Sequence, residues 1–199
     1  MLNNKKTKME NYMELTDSKI IEQTLNGEIE AFNTLVRRWE RQIYALAFRI
    51  LKRDDLAHDI CQETFMSAYQ NLSKFRGEAK FSSWLYRIAF NYCNTRLRSY
   101  GNNELSLEQQ LEDKGFEPAT NSEHINDSLQ RKQVAGLVKR ALAGLPPEMQ
   151  QVIIMKEYQE LKFHEIAEIL NLPISTVKTR VYTGLEQLKH RLNHLKDIL

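Results

Sequence analysis

Phe163-His164-Glu165-Ile166-Ala167-Glu168-Ile169-Leu170-Asn171-Leu172-Pro173-Ile174-Ser175-Thr176-Val177-Lys178-Thr179-Arg180-Val181-Tyr182-Thr183 is the stretch on which the fold turns. A helix-turn-helix needs a small residue where its helices touch, a turn residue that tolerates positive φ, and apolar anchors on the second helix. Ala167, Asn171, and the pair Val177 and Val181 fill those places, asparagine being second only to glycine in the left-handed region. The spacing predicts a helix over 163–170 and another from Ser175 to about Leu195. Ser175 is the expected N-cap, leaving first-turn N–H groups to meet a phosphate. Ser175, Thr176, Lys178, Thr179, Tyr182 and Thr183 project away from the anchors, and short hydroxyls beside a cation suit base edges and phosphates in a major groove. A helical hairpin with a solvated face shares this pattern. Residues 171–196 hold five basic side chains against one acidic, which favours DNA.

Upstream, the same helical period continues. Seven Gly and four Pro in 199 residues are about half the average usage of roughly 12%, too few turn-formers for a sandwich or barrel of many short strands. An all-α fold is expected. Residues 1–15 are polar and aperiodic and read as a disordered start. Order is expected from the N-cap cluster Thr16-Asp17-Ser18, with Gly27 closing a short helix. Phe32, Leu35, Val36, Trp39, Ile43, Leu46, Ala47 and Ile50 make one apolar stripe over about 30–51. Asp54 or Asp55 is the expected cap of a third helix, burying Ala57, Ile60, Cys61, Phe65, Ala68, Tyr69 and Leu72. A fourth runs from about Phe81 to Tyr100. After a gap, Leu129–Ala143 reads as an amphipathic helix ended by Gly144, and Pro146 opens the next, which buries Val152, Ile153 and Met155.

Charge divides the chain further. Residues 1–100 hold 16 basic and 12 acidic side chains, 101–128 hold one and seven, and 129–199 hold 11 and seven. The acidic middle loses most aliphatics and contains Gly115 and Pro118, so it reads as an extended linker. Two small helical domains, 16–100 and 129–199, each meeting a polyanion, are the organisation implied.

Two further patterns carry chemistry. Seven of the 18 aromatics fall in 74–100, among six cations and the single acid Glu78. Rings interleaved with cations suit single strands, whose unstacked bases lie on aromatic faces. Phe81, Trp84, Ile88 and Tyr92 also have helical spacing and read mostly as core, which leaves the loop Ser73–Ser83 and the cations as the exposed candidates. The second pattern is Asp59-Ile60-Cys61-Gln62-Glu63. Asp59, Gln62 and Glu63 share one helical face opposite the apolar one, joined by Asp54 and Asp55 in an acidic knob. From spacing alone a solvated face is the better reading, with a grip on a basic protein partner as the alternative.

These pieces together resemble the extracytoplasmic-function group of bacterial sigma factors, over about Leu15 to Leu195. The matching segments are Asp59-Ile60-Cys61-Gln62-Glu63-Thr64-Phe65; Phe75-Arg76-Gly77 with Phe81 and Trp84-Leu85-Tyr86-Arg87-Ile88-Ala89-Phe90-Asn91; Leu145-Pro146; and Glu165-Ile166-Ala167 with Ser175-Thr176-Val177-Lys178-Thr179-Arg180. The resemblance implies that Asp59, Gln62 and Glu63 dock on the clamp helices of the β′ subunit of core RNA polymerase. It implies that the aromatic loop and following helix melt and capture the single-stranded minus-10 element, through Phe75, Arg76, Lys80, Phe81, Arg87, Asn91 and Arg96. The C-terminal domain would read the duplex minus-35 element and pack on the β-subunit flap, while the acidic linker follows the RNA-exit path. An anti-sigma factor is a further implied partner. Three departures stand out. Lys162 replaces a small hydroxyl cap before the Glu-Ile-Ala helix, which should weaken that helix start by roughly 1 kcal/mol unless another group caps it; His58 replaces a common acid; and Gly77-Glu78-Ala79-Lys80 has its own side chains.

Enzymatic readings fail on the motifs: there is no Gly-rich phosphate loop, no HExxH and no triad arrangement. No cofactor is expected. His190, His194 and Asp197 share a helical face that could hold a metal but reads as solvated. Cys61 and Cys93 match no zinc or redox spacing and read as reduced core residues. Without an apolar run of membrane-spanning length, no membrane insertion and a cytoplasmic location are expected. Two rival readings remain: a one-component helix-turn-helix regulator, which would bind duplex DNA without polymerase, and a helical adaptor of anti-sigma type, whose DNA binding would lack steep salt dependence.

Overall fold

The computed structural model describes residues 12–101 and 125–196, and among these every regular element is helical. Most of the expected linker, and residues 1–11 of the expected disordered start, lie outside them. The helices form two compact units, the first built mainly on residues before 105 and the second mainly on those after.

In the first unit α1 (Asp17–Leu25) buries Ile20 and Ile21 and is followed by Gly27 at φ +98°, a conformation open to glycine because it has no Cβ. Thr16 takes the N-cap position without a capping bond from its side chain. Asp17 is drawn elsewhere: one carboxylate oxygen pairs with Arg38, and the other accepts from Trp39 Nε1 at 3.1 Å. Arg38 also donates to the carbonyls of Met13 and Leu15. Tyr12 is buried, its hydroxyl 3.4 Å from the Glu28 carboxylate. Residues 12–15, expected to belong to the disordered start, are held by these long-range bonds although the segment has no period of its own.

α2 (Ile29–Leu51) buries Phe32, Leu35, Ile43, Leu46 and Ala47 along the expected stripe. It ends at Lys52, φ +57°, a left-handed stop that no turn residue announced. α3 (Asp54–Gln70) starts one residue before its expected first turn. Arg53 is its extended N-cap, so Asp54 and Asp55 stand inside the first turn, where negative charge favours the helix N-terminus. Leu56, Ala57, Ile60, Thr64, Phe65 and Ala68 are buried. Cys61 is only half-buried and Tyr69 is exposed, its ring edge-on to Phe32 at 5.1 Å, so both leave the expected core.

α4 (Phe81–Gly101) corrects the expected core face. Phe81, Leu85, Tyr86, Ala89, Phe90 and Cys93 are buried, while Trp84, Ile88 and Tyr92 are half-exposed. Packing of α4 against both α2 and α3 selects a face wider than one stripe. Ala47, Leu51, Leu56, Ala57, Ile60 and Cys93 close the bundle, flanked by Tyr44, Phe48, Tyr92 and Leu97. Burying each such large aliphatic contributes about 1.5–3 kcal/mol.

The second unit opens with α5 (Ile125–Ala143), four residues earlier than expected, and Leu137, Ala141 and Leu142 are buried. Pro146 is the N-cap and Pro147 the first residue of α6 (Pro147–Ile153), so the opening proline is the second of the two. A π-helical turn, Ile154–Tyr158, continues α6, and Glu160 follows at φ +53°. α7 (Phe163–Leu170) and α8 (Ile174–Lys196) complete the unit. α8 packs on α5 and α6. The approach to α6 is close enough that a Cβ on Gly184 would lie 2.8 Å from Ile153 Cδ1 and 3.2 Å from Met149 Cβ. Val152, Ile153 and Met155 are buried as expected.

Candidate nucleic-acid and polymerase interfaces

The acidic face is carried by α3, whose opposite side is fixed in the core by Ile60 and by Thr64, with the Thr64 hydroxyl bonded to the Ile60 carbonyl at 2.6 Å. That anchoring turns Asp59 and Gln62 to solvent and leaves Glu63 half-exposed. Nearby acids are individually braced. Arg53 grips Asp55 and holds its carboxyl below the usual range. The Tyr44 hydroxyl donates to Asp54, and burial together with that carboxylate pushes its pKa up to about 12. His58, at the position where the family commonly has an acid, lies 3.7 Å from Asp54 with its ring centroid 4.7 Å from that of Tyr44. Glu63 forms an ion pair with Arg96 of α4. Cys61, on the flank of this face, has its thiol pushed up to about 11, chiefly by burial.

The aromatic loop between α3 and α4 contains a 3-10 turn, Leu72–Lys74, and Gly77 at φ +73°. Phe75, Phe81 and Trp84 are in mutual contact, with centroids 5.3–5.8 Å apart. Phe81 is only 4% exposed. It packs beneath the other two rings. Phe75 and Trp84 keep half-exposed faces, and Arg76, Lys80, Arg87 and Asn91 are exposed. Arg76 lies 4.0 Å from Glu78, both well solvated, a pair of little energetic weight. Arg96, also expected to meet DNA, is the residue that pairs with Glu63.

In the helix-turn-helix Asn171 adopts φ +53° and the Leu172 N–H donates to the Ala167 carbonyl at 3.0 Å, the return bond of a left-handed helix end. Ile166, Ala167, Val177 and Val181 are buried. Ser175, Lys178, Thr179 and Tyr182 are exposed, with Thr176 and Thr183 half-exposed. Ser175 is not the cap: α8 begins at Ile174, which places Ser175 inside the first turn, and its carbonyl accepts from the Thr179 hydroxyl at 3.0 Å. The missing hydroxyl cap at Lys162 is compensated, since the buried Glu165 carboxylate accepts the Lys162 N–H at 2.8 Å, half of a capping box. Phe163 and Lys156 were not singled out in the sequence. Phe163 lies 6.1 Å from Tyr182, and its ring receives the ammonium groups of Lys156 at 5.3 Å and Lys178 at 5.9 Å, an aromatic–cation pattern split across three elements. His190 is exposed, Asp197 lies outside the described residues, and among the described residues no three His, Cys, Asp or Glu side chains gather for a metal.

Residues 35–102 match the Sigma-70 region 2 family and residues 135–188 match Sigma-70, region 4. The ECF RNA polymerase sigma factor SigW of Bacillus subtilis is 34% identical over 194 residues, an overlap of 92% of this chain and 100% of the relative. The chain belongs to the ECF RNA polymerase sigma factors. The sigma-E factor of Escherichia coli K12 is 31% identical over 189 residues, covering 92% of this chain and 97% of that one. The fold is shared with CnrH, solved in complex with the cytosolic domain of CnrY (TM-score 0.63, 23% identity, 89% of this chain and 97% of that one). It is shared likewise with RpoE of Bartonella quintana, solved with the anti-sigma factor NepR (TM-score 0.64, 23% identity, 81% and 96%). As a sigma factor the protein is not an enzyme; it binds core RNA polymerase and directs promoter-specific transcription. No described helix is long and apolar enough to cross a membrane.

Proposed function

We propose that this sigma factor divides initiation among its three surfaces. Asp59, Gln62 and Glu63 dock on the β′ clamp helices; Phe75, Arg76, Lys80, Arg87 and Asn91 capture the melted minus-10 strand on a ring platform braced by Phe81; and Ser175, Thr176, Lys178, Thr179, Tyr182 and Thr183 read duplex minus-35 DNA while the same unit packs on the β flap. In this reading residues 16–100 form the melting domain, 129–199 the minus-35 domain, and 101–128 an acidic connection along the RNA-exit path. The work is cytoplasmic and serves a stress or envelope-response regulon. An anti-sigma factor is a further partner, supported by the RpoE likeness solved with NepR.

The observation that carries the reading is the acidic face itself. Asp59 and Gln62 are presented to solvent by a helix whose other side is locked in the core, and a carboxylate such as that of Asp59 is repelled by the phosphate backbone of a nucleic acid. Asp59→Arg should abolish co-purification with core polymerase while thermal unfolding stays unchanged, since the side chain is exposed. Normal yield of the complex would make the knob solvated surface. Full-strength specific promoter binding without any polymerase would favour the one-component regulator.

A further inference from the structure

Arg96 and Glu63 are 33 residues apart in sequence and meet across the α3–α4 interface as an ion pair, their side chains 35% and 36% exposed. An exposed pair of this kind adds little to stability. Its effect is directional: it fixes one oxygen of a long carboxylate at the edge of the acidic face. A carboxylate accepts several hydrogen bonds, so Oε1 can stay with Arg96 while Oε2 meets an incoming cation. The cation also lessens the repulsion that Asp59, four residues away on the same face, imposes on Glu63. An arginine so engaged has less of its fork to give a DNA phosphate.

We infer that Arg96 is a positioning residue for polymerase docking, acting through Glu63, and not a contact to the minus-10 strand. The inference rests on the proposed role of the acidic face in gripping core polymerase. Ordering Glu63 in advance removes part of the entropy that binding would otherwise cost.

The test measures the affinity of the full chain for purified core polymerase, for Arg96→Ala, Arg96→Lys, Glu63→Ala and the double variant Arg96→Ala with Glu63→Ala. Promoter binding at saturating core and thermal unfolding are followed in parallel. Arg96→Ala is expected to weaken core binding about 3- to 10-fold, the scale of one pre-ordered side chain, and Arg96→Lys to recover part of it. On the Glu63→Ala background, Arg96→Ala should add no further loss. Promoter binding at saturating core should keep its salt slope. Three results would overturn the proposal: wild-type core affinity in Arg96→Ala, a loss that adds fully to that of Glu63→Ala, or a salt slope of promoter binding reduced by about one, the mark of a phosphate contact. Wild-type core binding by Glu63→Ala would instead sink the docking role of Glu63 beneath it.

Discussion

The first unit presents a face of acids on α3, and the second presents hydroxyls and a cation on α8. Both faces rest on the same kind of support, a helix whose far side is locked by buried aliphatics, Ile60 in one and Val177 with Val181 in the other. Only the chemistry of the outward residues differs. Its sign selects the partner: acids refuse phosphate and suit a basic protein surface, whereas Lys178 among threonines suits a groove edged by phosphates. The two units differ also in their thiols, the Cys93 side chain being fully buried in the first. Both cysteines of the chain belong to it.

That difference is largest at alkaline pH. Burial pushes the Cys93 thiol up to about 12 and the Cys61 thiol up to about 11, and Tyr44 is raised to about 12. A folded thiol then keeps its proton above the pH at which the unfolded one releases it. The stabilisation is present below about pH 9 and is lost as pH climbs toward the folded values. For Cys93 the loss approaches roughly 4 kcal/mol at about 1.4 kcal/mol per unit. In the second unit Lys139 is lowered by burial, which tilts stability the opposite way. Both tryptophans, Trp39 and Trp84, lie in the first unit, so denaturant midpoints read by their fluorescence isolate it. They are expected to fall steeply between pH 9 and 11, with a shallower fall in Cys93→Ala. Equal pH slopes in the two proteins would remove Cys93 as the cause.

On the DNA side the contrast predicts two kinds of loss. Thr179→Ala should cost about 1–3 kcal/mol against the protein's own minus-35 duplex if the hydroxyl reads a base edge, and nearly nothing on unrelated duplex. Lys178→Ala should weaken both duplexes alike and reduce the salt slope by about one. Titration of the holoenzyme at several salt concentrations separates them. Neither variant should alter core affinity, since both residues lie on the exposed side of α8 that is proposed to meet DNA. A shared loss in core binding would break the division of labour between the two faces.

What was legible in the sequence was local. The helix-turn-helix could be read because its determinants, Ala167, Asn171, Val177 and Val181, fall within 15 residues and follow helical spacing. The acidic face could be read from spacings of three and four. The Glu63–Arg96 pair could not, since nothing short-range links the two residues, and family likeness had assigned Arg96 to DNA. The core face of α4 differs from the spacing of Phe81, Trp84, Ile88 and Tyr92 because a helix packed on two neighbours buries more than one stripe, which brings in Leu85 and Phe90 and leaves Trp84, Ile88 and Tyr92 half-exposed. The hold on residues 12–15 carries no local signal for the same reason: Tyr12 meets Glu28, and the Met13 and Leu15 carbonyls meet Arg38, far along the chain.

The smallest expected effect concerns the two helix ends that carried no signal. Lys52 and Glu160 sit at φ +57° and +53°, one in each unit, where glycine is the residue without a Cβ penalty. The left-handed conformation costs an ordinary L-residue roughly 1–2 kcal/mol, and glycine returns part of that gain through its freer unfolded chain. Lys52→Gly and Glu160→Gly should therefore each stabilise by about 0.5–1 kcal/mol, the first read by tryptophan fluorescence and the second by hydrogen exchange of α6 and α7 amides. Asn171 has the same φ of +53°, yet asparagine already tolerates it, and Asn171→Gly should change stability by only a few tenths of a kcal/mol. Equal gains at all three positions would mean that backbone strain is uniform and asparagine was not chosen for the turn. A loss at Glu160 would mean that its side chain, and not its backbone, holds the π-helical turn against α7.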